Sequence, residues 1–154
     1  ERIWFLVYDP SEQRKIDLRL GDFETATIKA GKRWSLISMK KCFPDWMASH
    51  EYKEEYFNDP ETLVDQLEVE FKQYAIQYLT SEIENHIVDD NTLIVIRDIS
   101  SLFGFNRISD ILNGCSGSFK GRVLVFFPGE FEKNHYRLLD ARDGWSYLAR
   151  PITA

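Results

Sequence analysis

The chain has 154 residues, 44% of them hydrophobic and 29% charged. That is enough for one sizeable core, and the balance excludes a disordered or collagen-like chain. The net charge of -6 argues against a nucleic-acid binder working by bulk electrostatics. The longest apolar runs, Ile3–Tyr8 and Val123–Phe127, fall far short of the ~20 residues of a membrane-spanning helix.

The chain opens in a strand-like run with no signal-peptide hydrophobic region, and without an initiator Met. Residues are therefore expected to precede Glu1. The run Ile3-Trp4-Phe5-Leu6-Val7-Tyr8 is continuous rather than alternating, which is how a strand covered on both faces reads. Asp9-Pro10 then predicts a helix start, with Asp as cap and Pro in the first turn. Ile16, Leu20, Phe23 and Thr27 give the helix its apolar stripe, and Gly31 is placed to end it. A second strand is predicted over 33–39. Lys40–His50 reads as a short helix or turn interrupted by Pro44. Asn58-Asp59-Pro60-Glu61 repeats the start signal. Leu63, Leu67, Phe71, Tyr74, Tyr78 and Leu79 then predict the longest helix, with Ile83 and Ile87 continuing its stripe. A third strand is predicted over 92–97, and a serine-capped helix through Leu102, Phe105, Ile108 and Leu112. Gly114–Gly121 reads as a flexible connection. A fourth strand follows over 122–127 and ends in the turn Pro128-Gly129-Glu130. Tyr136–Arg142 is ambiguous, and a last strand is predicted near 146–151, after the Asp143-Gly144 turn pair.

Doubly buried strands alternating with helical stripes define the fold class as α/β. The expectation is a three-layer sandwich, with a mostly parallel sheet of about five strands flanked by helices. No linker or repeat interrupts it, so residues 1–154 are read as a single domain.

Charge is unevenly spread. Lys29, Lys32, Arg33, Lys40 and Lys41 stand together without an acid between them, whereas residues 51–72 carry eight acids against two lysines. These are either two solvated faces or a docking surface. Trp46, Tyr52, Tyr56 and Phe57 fall in the same polar middle segment, the composition of an interface core or of locally packed loop. Cys42 and Cys115 are too few and too far apart for a disulfide framework or a zinc site, and are expected to be buried thiols.

In an open parallel sheet ligands bind beyond the carboxyl ends of the strands. Asp9, Asp98 and Glu130 are expected there. Meeting at one edge, they could hold Mg²⁺ for phosphoryl-transfer or nuclease chemistry. Alternatively Asp9 caps a helix, Asp98 caps a turn or pairs with Arg97 or Arg107, and Glu130 is simply exposed. No phosphate-binding glycine loop follows the first strand, and Gly114–Gly121 has the wrong spacing and precedes a strand. No nucleophile elbow is present, and no His neighbours either cysteine in sequence. No cofactor is expected.

Trp4-Phe5-Leu6-Val7-Tyr8-Asp9-Pro10 is similar to the first strand of the BrxB family of bacterial BREX phage-defence systems. Phe126-Phe127-Pro128-Gly129-Glu130-Phe131, Tyr136-Arg137-Leu138-Leu139 and Tyr147-Leu148-Ala149-Arg150-Pro151-Ile152 resemble its later segments, and Thr92–Leu102 its third strand. The acidic segment 42–90 matches only in being helical. The resemblance implies a small cytoplasmic α/β protein without a recognised active site, acting as a non-catalytic binding or scaffold component. Its implied partners are other BREX proteins, a PglZ-type phosphatase-like subunit and a BrxC-type ATPase, with no membrane and no direct nucleic-acid contact. The resemblance supplies no catalytic residue. The candidate docking element is a rigid surface turn of Pro128, Gly129, Glu130 and Phe131, with Arg137 and Asp140 close by.

Overall fold

Ile3–Tyr8 form strand β1, and their unbroken apolar sequence is explained by neighbours on both sides and cover on both faces. The computed structural model describes residues 2–50, 53–61, 64, 67–86, 88–102, 106–133, 135–138 and 150–153. The other strands are β2 (Arg33–Ser38), β3 (Thr92–Arg97), β4 (Arg122–Glu132), β5 (His135–Leu138) and β6 (Arg150–Thr153). The strand order is β2-β3-β4-β1-β6, all parallel, and β5 pairs antiparallel with the far end of β4. The helices are α1 (Gln13–Lys29), α2 (Cys42–Ser49), α3 (Lys53–Asn58), α4 (Lys72–Asn85) and α5 (Ile108–Gly114). This is the expected mostly parallel sheet flanked by helices.

Alternation along each strand divides the core in two. Phe5, Val7, Ile37, Ile94, Ile96, Val125 and Phe127 pack against α2, α4 and α5. Leu6, Tyr8, Val95, Leu124 and Phe126 pack on the opposite face against Ile16, Leu20 and Phe23 of α1. The crossover from β1 to β2 runs one way along the sheet, with its helix on one face. Those from β2 to β3 and β3 to β4 run back, with their helices on the other face, as uniform handedness requires.

Helix starts and stops follow local chemistry. Asp9 accepts a hydrogen bond from the Ser11 amide at 2.8 Å and opens a 3-10 turn over Pro10–Glu12, from which α1 continues. Gly31, at φ 76°, ends α1 in the left-handed region that glycine tolerates. Before α4 the backbone makes a π-helical turn over Leu67–Phe71, and Phe71, Ala75, Leu79 and Ile83 continue as its buried stripe. The helix expected through Leu102 to Leu112 divides into a 3-10 turn, Ile99–Leu102, and α5.

One expectation is corrected, and one of two open readings is favoured. Trp46 belongs to local packing rather than to an interface core. It is buried, with its ring 5.3 Å from Phe71 and 6.0 Å from Phe43, because α2 turns this side toward the sheet. The side chains of Tyr52, Tyr56 and Phe57 lie outside the described residues. Pro128-Gly129-Glu130-Phe131 is not a surface turn: β4 runs through it to Glu132. Pro128 pairs with Tyr8 as the last residue of the parallel ladder, and β3 has already left β4 at Val125. The missing proline N–H thus falls where the strand changes partners, a position sheets tolerate. From Gly129 onward β4 pairs with β5 instead.

Candidate functional site

The carboxyl ends of β1 and β4 are a topological switch point, since the parallel strand after β1 lies to one side in the sheet order and the one after β4 lies to the other. The crevice expected there is occupied by the β4–β5 hairpin. Tyr136 of β5 is buried with its ring 4.6 Å from Phe5 and 5.6 Å from Phe127, and Phe131 covers it at 4.7 Å. A Cβ at Gly129 would run into the backbone carbonyl of Arg137, so only glycine allows the two strands this close. Glu130 lies directly opposite Arg137, and their side chains form an ion pair on the exposed face of the hairpin. Arg137 is therefore beside Glu130 as expected. Asp140 lies outside the described residues.

A second group of polar side chains gathers at the ends of β1, β2 and β3. The Tyr8 hydroxyl donates to Gln13 Oε1, and Gln13 Nε2 donates to Asp17 Oδ1 at 3.0 Å. Arg97 reaches the same Asp17 oxygen at 2.8 Å and, through Nε, Asp98 Oδ2 at 3.2 Å. Ser38 Oγ donates to Asp98 Oδ2 at 2.5 Å. One network thus links α1 to three strands. Burial pushes the Tyr8 phenol up to about 12, with Asp17 and Asp98 adding to the effect. Asp98 holds φ 61°, the left-handed region that aspartate enters more readily than most residues. Its carbonyl then accepts from Ser101, whose hydroxyl also bonds Met39 O at 2.8 Å.

The three carboxylates of the metal reading have separate commitments. Asp9 is held by Ser11, which keeps its carboxyl below the usual range; Asp98 is held by Ser38 and Arg97, and Glu130 by Arg137. Among the described residues no three His, Cys, Asp or Glu side chains are grouped so as to hold a metal ion. The Asp98–Arg97 pair is one of the alternatives left open by the sequence. Ser38, Gln13 and Asp17 were missed, and only the four-residue spacing of Gln13 and Asp17 on α1 offered a local signal.

Other reactive groups are subdued. Cys42 and Cys115 are buried free thiols. Burial, with Asp45 nearby, pushes Cys42 up to about 12, and burial also raises Cys115, so neither is poised as a thiolate. His86 Nδ1 is hydrogen-bonded to Ser35 Oγ beneath the sheet, and His50 approaches Glu70 at 3.4 Å. No described helix is long and apolar enough to cross a membrane.

Fold and site together define a parallel α/β protein whose carboxyl edge is closed by a hairpin and a satisfied polar network. The family described as BREX protein BrxB matches residues 34–150, β2 to the first residue of β6, and the chain belongs to that family. Membership implies involvement in a BREX defence system. No curated protein and no solved structure matches the chain.

Proposed function

We propose that the chain is a non-catalytic binding or scaffold component of a BREX anti-phage complex, engaging other proteins of the system. The PglZ-type phosphatase-like subunit and the BrxC-type ATPase are the partners to test, in the cytoplasm. The observation that carries this reading is the β4–β5 hairpin. It extends the central strand beyond the parallel sheet and roots it through Tyr136 and Gly129. It presents the Glu130–Arg137 pair, with Phe131 half-buried beside it. A surface already fixed in the unbound protein loses little entropy on docking. The satisfied polar network and the two buried thiols favour binding over chemistry.

The test is co-purification of the tagged protein with its operon neighbours, comparing wild type, Glu130→Arg and the exchange Glu130→Arg with Arg137→Glu. Glu130→Arg places like charges opposite each other and weakens the hairpin. The exchange restores the pair with reversed polarity. A partner lost in both variants, while the exchange melts like wild type, supports docking at this face. Partner recovery at wild-type yield in the exchange would remove the hairpin face from the interface.

A further inference from the structure

The opposite, amino edge of the sheet carries a charge that the whole chain does not. Arg2, Arg122 and Arg150 stand at the starts of β1, β4 and β6, and all three are exposed. Lys29, Lys32 and Arg33 line the passage from α1 into β2, and Lys120 precedes β4. Of these only Arg33 forms an ion pair among the described residues, with Asp89 at 3.6 Å. Asp90 is the other acid at the mouth. Lysines near the end of α1 partly answer the helix dipole. The arginines at strand starts do not have that role. Arg2 and Arg122 are level on adjacent strands, because Ile3 pairs with Val123, and like charges so placed repel.

An apolar hollow opens among these cations. A cavity of about 380 Å³ lies between the last turns of α1 and the strand starts, floored by Trp4, Phe23 and Leu93 and walled by Ala26 and Ala30. Arg122 sits over the Trp4 ring, 5.3 Å from its centre, and with Lys32 and Asp90 forms the charged rim. A second hollow of about 310 Å³, lined by Arg2, Asp90, Gly121 and Arg122, continues it along the edge.

We propose that this amino edge docks an acidic segment of a partner protein, which seats one apolar side chain between Trp4 and Phe23. The positive rim matches carboxylates. The apolar floor matches a single aliphatic or aromatic knob, the anatomy of an anchored protein contact. A nucleic-acid backbone fits less well, because it offers no apolar knob to the hollow between Trp4 and Phe23. The surface rests on the reading of the chain as a binding component and gives it a second contact face, remote from the hairpin.

The experiment uses the full chain in complex with the operon partner it recovers. A carbodiimide joins lysine amines to carboxylates in direct contact, and mass spectrometry then locates the links. Links from Lys29, Lys32 or Lys120 to an Asp- or Glu-rich partner segment containing an apolar residue are expected. Arg2→Glu with Arg122→Glu is expected to weaken the complex tenfold or more. Ala30→Trp, which fills the hollow from an exposed position, is expected to do the same without charge change. Partner affinity within twofold of wild type in both variants overturns the inference. So do links only to residues 51–72 of a second copy, or an edge that retains an oligonucleotide and no protein. If the chain recovers no partner, the binding reading itself fails. If a partner is recovered and the edge variants bind it normally, only this inference fails.

Discussion

Asp98 tests whether the carboxyl-edge network and the backbone beneath it are separable. Replacing Asp98 by Ala removes the hydrogen bond from Ser38 and the contact with Arg97. A hydrogen bond to a charged group is worth about 1.5–3 kcal/mol, at the low end here because the side chain is 27% exposed. The Ala variant must still adopt φ 61°, which costs a non-glycine residue about 1–2 kcal/mol. Asp98→Gly loses the same side-chain contacts but escapes that strain. Against this, glycine gives the unfolded chain about 0.4–1 kcal/mol more conformational entropy. The net expectation is that Asp98→Ala destabilises by about 2–3 kcal/mol, and Asp98→Gly by about 0.5–1 kcal/mol less. For a chain of this size that separates the two melting temperatures by about 2 °C. Urea unfolding at pH 7, with a calorimetric melt of each variant, measures both quantities. A Gly variant equal to or less stable than the Ala variant would refute the strain argument. Ser38→Ala with no loss of stability would refute the hydrogen-bond argument.

Gly129→Ala should destabilise by about 2 kcal/mol, because its Cβ meets fixed backbone of Arg137. Gly114→Ala should cost less, since the nearest atoms its Cβ meets belong to the Ile76 side chain rather than to backbone; thermal melts compare the two. Ellman's reagent at pH 8 should modify neither cysteine in the native protein within minutes and both in urea, as both thiols are buried with raised pKa. Tyr8 has a folded pKa of about 12 against the ordinary 10, so its contribution to stability is full below pH 10 and is lost as pH rises toward 12. Tyr8→Phe should flatten the stability profile in that window, and urea titrations between pH 9 and 12 should show a smaller slope than wild type.

The strands were legible because their signal is local. β1, β3 and the first half of β4 are unbroken apolar runs, and burial on both faces leaves little else for such runs to be. The stripe Ile16, Leu20, Phe23 on α1 was equally plain. Pro128-Gly129 misled because the pair usually signals a turn, whereas here proline marks a change of strand partner and glycine a close approach. The difference lies in register, which composition does not encode. Trp46 stayed open between two readings because its neighbours are polar, and its burial is set by Phe71, 25 positions further along. The polar network was largely hidden for the same reason: Ser38 and Asp98 are 60 positions apart, and Arg97 and Asp17 are 80.

The strand order also sets the sequence of events during synthesis. β1 is made before the other described strands, yet its neighbours are β4 and β6, and Ile3 pairs with Val123. At roughly 5–20 residues per second, some 120 residues of further chain take on the order of 6–24 s to emerge. For that interval the run Ile3–Tyr8 has neither of its sheet partners, and α1 lacks most of the surface it covers. The hairpin between β4 and β5, by contrast, closes over a few residues as soon as it leaves the ribosome. β1 is therefore sheltered long after it is made, and a nascent-chain chaperone would find its binding site in the run Ile3–Tyr8.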